Sequence, residues 1–205
     1  MKQKKHTKGF NIQSRERVYN GFYQLEKVSV KFQLYNESWS PVVDRELFQR
    51  GDAAGILLVD ADENQVVLVE QFRIGAVAEE DPWLLDVVAG GIDAGSDPVQ
   101  TVIKEAKEEA GLDIGVVSPI MTYYPSPGAC SERIHLYYAF VKADQAAKYA
   151  GCEQEHEDIR VVTVSINEAI EALGQGKFIS SPAIISLQWL RDNRHNLANL
   201  KAKSV

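Results

Sequence analysis

Cysteine is scarce in this chain of 205 residues: Cys130 and Cys152 stand alone, with no CxxC arrangement. That argues against a disulfide framework and a cysteine-based zinc site. His6, His135, His156 and His195 show no metal-ligand spacing, and each reads as a surface or packing residue. No apolar run approaches the ~20 residues of a membrane span. The start, Met1-Lys2-Gln3-Lys4-Lys5-His6, lacks a signal-peptide core. A cytoplasmic protein without a membrane partner is expected. Positive charge is also in deficit, since 22 Lys and Arg against 29 Asp and Glu give a net charge of −7. A nucleic-acid backbone is therefore not the expected partner. No internal repeat or low-complexity segment is present.

What remains is ordinary globular material, 45% hydrophobic and 25% charged. The length suits one domain, or a domain with an appendage, around a substantial core. Residues 1–14 read as polar and mobile. From Arg15 to Phe48 the pattern is strand-like, with Val28, Val30 and Phe32 alternating with Ser29, Lys31 and Gln33. Asn36–Pro41 breaks that run as a turn. Further strands are predicted over 53–60, 65–73, 83–88, 116–124, 134–141 and 159–164. Short helix 166–173 ends at Gly174, and a longer one starts with Ser181 as cap and Pro182 at N1 and runs to about Leu200. Strands flanked by a few helices indicate an α/β or α+β sandwich.

The densest chemical signal is Lys104-Glu-Ala-Lys-Glu-Glu-Ala-Gly-Leu112. Glu105, Glu108 and Glu109 stand at i, i+3 and i+4, one face of a helix, where like charges repel. A hard cation such as Mg²⁺ or Mn²⁺ relieves that repulsion and suits an oxygen-only cluster. Upstream, Asp97 fits an N-cap, Pro98 the N1 position and Gln100 the N3 partner of a capping box. Val99, Val102, Ile103, Ala106 and Ala110 form the apolar stripe, and Gly111 closes the helix. Gly90, Gly91 and Gly95 read as a tight loop between a buried strand and this helix.

Strand, glycine loop and acidic helix together resemble the Nudix box. Gly90, Glu105, Glu108, Glu109, Gly111 and Leu112 match its pattern in register, with Ala106 a permissive fit. Ser96 stands where the family has its first Glu and Lys104 where it has Arg. Losing both removes a possible ion pair without stranding one charge, and the metal-facing carboxylates remain. The resemblance implies a Nudix-type α/β/α sandwich over 49–205, with 1–48 as an N-terminal antiparallel β extension serving dimerisation and substrate contact. It also implies metal-assisted attack of water on a nucleoside diphosphate linked to another group.

Nearly the whole chain is similar to the family's ADP-ribose pyrophosphatases, and the following roles are what that similarity implies. Phe22 and Tyr23 would offer π faces to the adenine. Arg45, beside Glu46, and Arg73 would hold the diphosphate. Ser126-Pro127-Gly128, with Glu132, would form the loop at the ribose phosphate end, Glu132 reaching across a dimer. Ala129 replaces a family glycine there and requires φ below zero, or a tolerated strain. In the acidic loop 153–158, Glu155 would be the base and Glu157 a metal contact. Ala89, Glu105, Glu108 and Glu109 complete the metal set, and Gly91 lines the site. The implied reaction is Mg²⁺- or Mn²⁺-dependent hydrolysis of ADP-ribose to AMP and ribose 5-phosphate by a homodimer with N-terminal exchange. GDP-mannose or ADP-glucose is the alternative substrate, and a non-hydrolysing regulator the alternative class.

Overall fold

The computed structural model describes residues 8–203, except for the side chain of Glu155. It contains two compact units: the chain up to Gly51 with Tyr124–Glu132, and Asp52–Tyr123 with Arg133–Val205.

The first unit is an antiparallel sheet of β1 (Phe10–Asn20), β2 (Gln24–Phe32) and β3 (Val43–Gln49), in the order β1-β2-β3. The expected mobile start therefore gives way to strand from Phe10, while residues 1–7, His6 among them, lie outside the described residues. Asn36 builds the turn after β2, its Oδ1 accepting from the Ser38 N–H at 3.2 Å. The alternation on β2 buries Val28 alone, and β1 is exposed along its whole length. The reason is that three strands carry no helix over them among the described residues of this unit. Tyr124–Glu132 joins this sheet by backbone pairing: Phe48 N–H donates to Ala129 O at 2.7 Å, and Ser131 N–H to Phe48 O at 3.1 Å.

The second unit holds β4 (Ala53–Asp60), β5 (Gln65–Phe72), β6 (Trp83–Asp86), β7 (Val88–Gly91), β8 (Val117–Tyr123), β9 (Ile134–Phe140), β10 (Tyr149–Ala150) and β11 (Ile159–Ser165). Its main path runs β10-β11-β5-β4-β9-β8, with β4 and β9 parallel. Helices α1 (Pro98–Ala110), α2 (Ile166–Gly174), α3 (Ser181–Asn193) and α4 (Leu197–Ala202) flank it. Alternation on β4 separates two cores, as the period of a strand requires. Ala54, Ile56 and Leu58 pack with Val102, Ala106 and Ala110 of α1. Leu57 and Val59 pack with Ile166, Ala169, Leu187 and Leu190 of α2 and α3. This is the α/β/α sandwich expected. No helix of the described residues is long and apolar enough to cross a membrane.

The sheet is split at its centre. β4 pairs with β5 only at Leu58–Asp60, while its first half pairs with β7. The second half of β5 pairs with β6. Two short strands thus fill the gap, where a single strand and a glycine loop were expected. Asp86 makes the break: its Oδ1 accepts the Val87 N–H at 2.8 Å and takes that donor from the ladder. Gly90 and Gly91 lie within β7, in register with Ala54 and Ala53. Near the C-terminus Ser180, rather than Ser181, caps α3, and a 3₁₀ turn at Arg194–Asn196 separates α3 from α4.

Candidate active site

Helix α1 starts and stops on local signals. Asp97 Oδ1 accepts the backbone N–H of Val99 at 2.8 Å and of Gln100 at 3.4 Å. Pro98 fills N1, and Gly111 ends the helix at φ 70°. Val102, Ala106 and Ala110 are buried as expected. Ile103 is exposed, and Thr101 and Glu109 occupy the buried side with them.

Glu109 is the least expected of these, a carboxyl only 1% exposed. Its Oε2 accepts the Ala89 N–H of β7 at 3.0 Å and its Oε1 the Gln71 amide of β5 at 3.2 Å. The split in the sheet aims both donors at one carboxyl. Burial pushes its pKa up to about 8 and the Glu105 charge adds to that, while Ala89, Arg73 and Gln71 act against it. Glu105 lies against β7: a Cβ at Gly90 would overlap its side chain and push the carboxylate from its present place. Glu108 Oε2 is 2.9 Å from Lys104 Nζ, and Glu105 Oε1 is 3.8 Å from the same ammonium.

The segment that leads into the acidic loop is stitched to the end of α1. Ala147 N–H donates to Ala110 O at 2.9 Å, and Gly151 N–H to Glu108 O at 3.0 Å. Gly151 adopts φ 111°, and a Cβ there would strike the Glu157 carbonyl. Glu157 is partly buried, with its carboxylate turned back toward the Cys152 N–H. Glu155 closes a 3₁₀ turn, Glu153–Glu155, and its side chain lies outside the described set.

One unit therefore brings together Ala89, Gly90, Glu105, Glu108 and Glu109, with the segment before the Glu157 loop tied to the same helix through Gly151 and Arg73 acting on Glu109 by its charge. Gly91 is exposed at the end of β7, with open space where a Cβ would be. The other unit carries the remaining predicted residues. Phe22 is 93% exposed and meets Tyr23 edge-on, and Tyr23 meets Phe48. Arg45 and Glu46 are exposed within β3. Ser126 O caps the Pro127-Gly128 turn by accepting from Ala129 and Cys130 N–H. Ala129 is not among the non-glycine residues with positive φ, so the replaced glycine costs no strain. Glu132 is buried and paired within its own chain to Arg50 Nε at 3.3 Å.

Sequence reasoning missed Gln71, Asp86 and Arg50. Gln71 left a trace, a polar residue in phase with Val67 and Val69 on a core-facing strand. Arg50, which pairs Glu132 and lies over the Tyr23 ring at 5.3 Å, left none.

Among the described residues no three Asp, Glu, His or Cys side chains converge at metal-holding distance. The donor chemistry nevertheless fits a hard divalent cation, being oxygen only, with a buried carboxyl whose ionisation a nearby positive charge would favour. Without metal, Glu109 imposes a pH dependence on stability. Its pKa is raised from 4.5 to about 8, so the folded state holds a proton that the unfolded chain releases. Stability from this group is then full below about 4.5 and is lost as pH rises toward about 8. The midpoint of thermal unfolding in chelator should fall across that window, and Glu109→Gln should flatten the slope, leaving the share of the buried Asp86, also raised by burial.

An acidic helix laid over a split mixed sheet is the Nudix type of domain. Residues 49–182 match the NUDIX domain model, and the chain belongs to the Nudix family. It is 39% identical over 189 residues to the ADP-ribose pyrophosphatase of Escherichia coli (strain K12), covering 92% of this chain and 90% of that one. The ADP-ribose pyrophosphatase of Haemophilus influenzae is 36% identical over 186 residues, covering 89% and 86%. A GDP-mannose pyrophosphatase from Salmonella arizonae is 35% identical over 148 residues, covering 71% and 76%. The crystal structure of an ADP compounds hydrolase aligns with a TM-score of 0.65 over 90% of this chain and 95% of that one; at 18% identity it shows the fold.

Proposed function

We propose that this protein hydrolyses the diphosphate of ADP-ribose to AMP and ribose 5-phosphate. The observation that carries the reading is the packing of Glu105 and Glu109 of α1 against the Ala89–Gly90 strand, with Gly151, just ahead of the acidic loop, tied to the same helix. Similarity to ADP-ribose pyrophosphatases over 92% of the chain supports the substrate, against 71% for the GDP-mannose enzyme.

Glu105, Glu108, Glu109, Glu157 and the Ala89 carbonyl would hold Mg²⁺ or Mn²⁺. When bound, the cation supplies neutralisation of phosphate charge and a more acidic water. Glu155 accepts the proton of the attacking water as its oxygen bonds to phosphorus and the bridging P–O bond breaks. Arg45 and Arg73 orient the diphosphate through paired N–H donors, with Glu46 beside Arg45. Phe22 and Tyr23 take the adenine. Gly91 allows close approach of the substrate, and Ser126, Pro127, Gly128 and Glu132 serve the ribose phosphate end, Glu132 oriented by Arg50. The two cysteines are free thiols, which suits a cytoplasmic setting.

The test is a panel of ADP-ribose, ADP-glucose and GDP-mannose with Mg²⁺ or Mn²⁺, following AMP and GMP release. ADP-ribose should give the highest kcat/KM. Faster GMP release from GDP-mannose would reassign the substrate.

We further infer a homodimer in which the N-terminal sheet packs on, or exchanges with, its partner. Support comes from β1, an edge strand exposed throughout, with Phe10, Val18 and Tyr19 on the surface. Such edges and apolar surfaces are usually covered. Sedimentation should show a dimer at micromolar concentration. A monomer that is fully active at nanomolar concentration would contradict this.

A further inference from the structure

Lys104 immediately precedes the first carboxylate of the acidic face. Its ammonium is shared between Glu108, at 2.9 Å, and Glu105, at 3.8 Å. Both carboxylates are more enclosed than it is, with side chains 35% and 13% exposed against 53% for Lys104. The ammonium therefore sits at the solvent end of two converging acids. Glu109 is stabilised differently, by the Ala89 N–H, the charge of Arg73 and the Gln71 amide. Lys107, on the same helix, is paired away from the face, with Asp113 at 2.6 Å.

We propose that Lys104 is an internal counter-cation that a divalent ion must displace from Glu105 and Glu108, and that it thereby sets the metal concentration at which the site fills. This rests on the metal reading above. Two positive centres cannot share these oxygens without repulsion, so each weakens the other's hold. Lysine suits the task because its ammonium is a single hydrated charge on a flexible stem. Lys followed by Glu at i,i+4 is also the weaker orientation of a helical pair. The hold on the carboxylates is firm enough to offset their mutual repulsion and slight enough to be released.

The test is Mn²⁺ binding to the substrate-free protein, read by electron paramagnetic resonance of the free ion. At low salt Lys104→Gln should bind Mn²⁺ up to about fivefold tighter than the natural chain, the range set by the small worth of an exposed pair. Lys104→Arg, which keeps the charge, should stay close to the natural value. The gain in Lys104→Gln should shrink in about 1 M KCl, where charges are screened within about 3 Å. Without metal, Lys104→Gln should unfold at lower temperature, because the acidic face loses its counter-charge. Unchanged or weaker Mn²⁺ binding in Lys104→Gln, with binding still weakened by Glu105→Gln, would overturn the proposal. Mn²⁺ binding unaffected by Glu105→Gln and Glu109→Gln would instead remove the metal reading beneath it.

Discussion

Glu109→Gln is expected to lower ADP-ribose turnover at saturating Mg²⁺ by at least about a hundredfold, ~2.7 kcal/mol in the barrier, while stability at neutral pH holds or rises. The two effects separate because of where the carboxyl lies. It is buried between the Ala89 N–H and the Gln71 amide. A glutamine of the same shape can accept from Ala89 and meet a flipped Gln71, so both contacts survive. The burial cost of ionisation and the repulsion from Glu105 vanish together. What is lost is the negative oxygen that a cation needs. Thermal unfolding and steady-state kinetics on one preparation decide the point. Near-normal turnover would mean that Glu109 is structural, a buried acid serving only to join α1 to β7.

Glu155→Gln should reduce kcat by about 10²–10⁴-fold, the usual worth of a general base, with little change in KM for ADP-ribose. A base acts in the transition state, so its removal spares ground-state binding. Glu157→Gln should instead raise the metal concentration needed for half-maximal rate. The loop's attachment gives the pair different surroundings. Glu157 follows a turn anchored through Gly151 to Glu108 O, and its backbone packs against Gly151. Glu155 ends the 3₁₀ turn one residue before His156, which takes φ 55°. Exchange of the two phenotypes would exchange the two roles.

The acidic helix was legible because its signals are local. Asp97, Pro98 and Gly111 mark its ends by their own side chains and dihedral angles, and the spacing of three glutamates needs no partner to be read. Strand β4 was equally plain, an apolar run ended at Asp60 by a polar turn. The split sheet was not, because it depends on which strands pair. Trp83–Val88 reads as one run, and only the competition of Asp86 for the Val87 N–H, together with the divergence of β4 and β5, divides it. The exposure of β1 was hidden for the same reason: its first half fell in a start read as mobile, and the strand-like pattern from Arg15 does not tell that no described helix of its unit covers it. The break between α3 and α4 falls where no proline or glycine stands. The raised pKa of Glu109 was invisible too, since i+4 spacing groups the carboxylates without telling which of them turns inward.

Hydrolysis itself is tested most directly by incubating the purified protein with ADP-ribose and Mg²⁺ and following both fragments chromatographically. The expected result is AMP and ribose 5-phosphate in equal amounts, arrested by chelator and restored by added Mg²⁺. ADP-ribose bound by the protein yet recovered intact would contradict it, and would make the chain a binding protein on a Nudix frame.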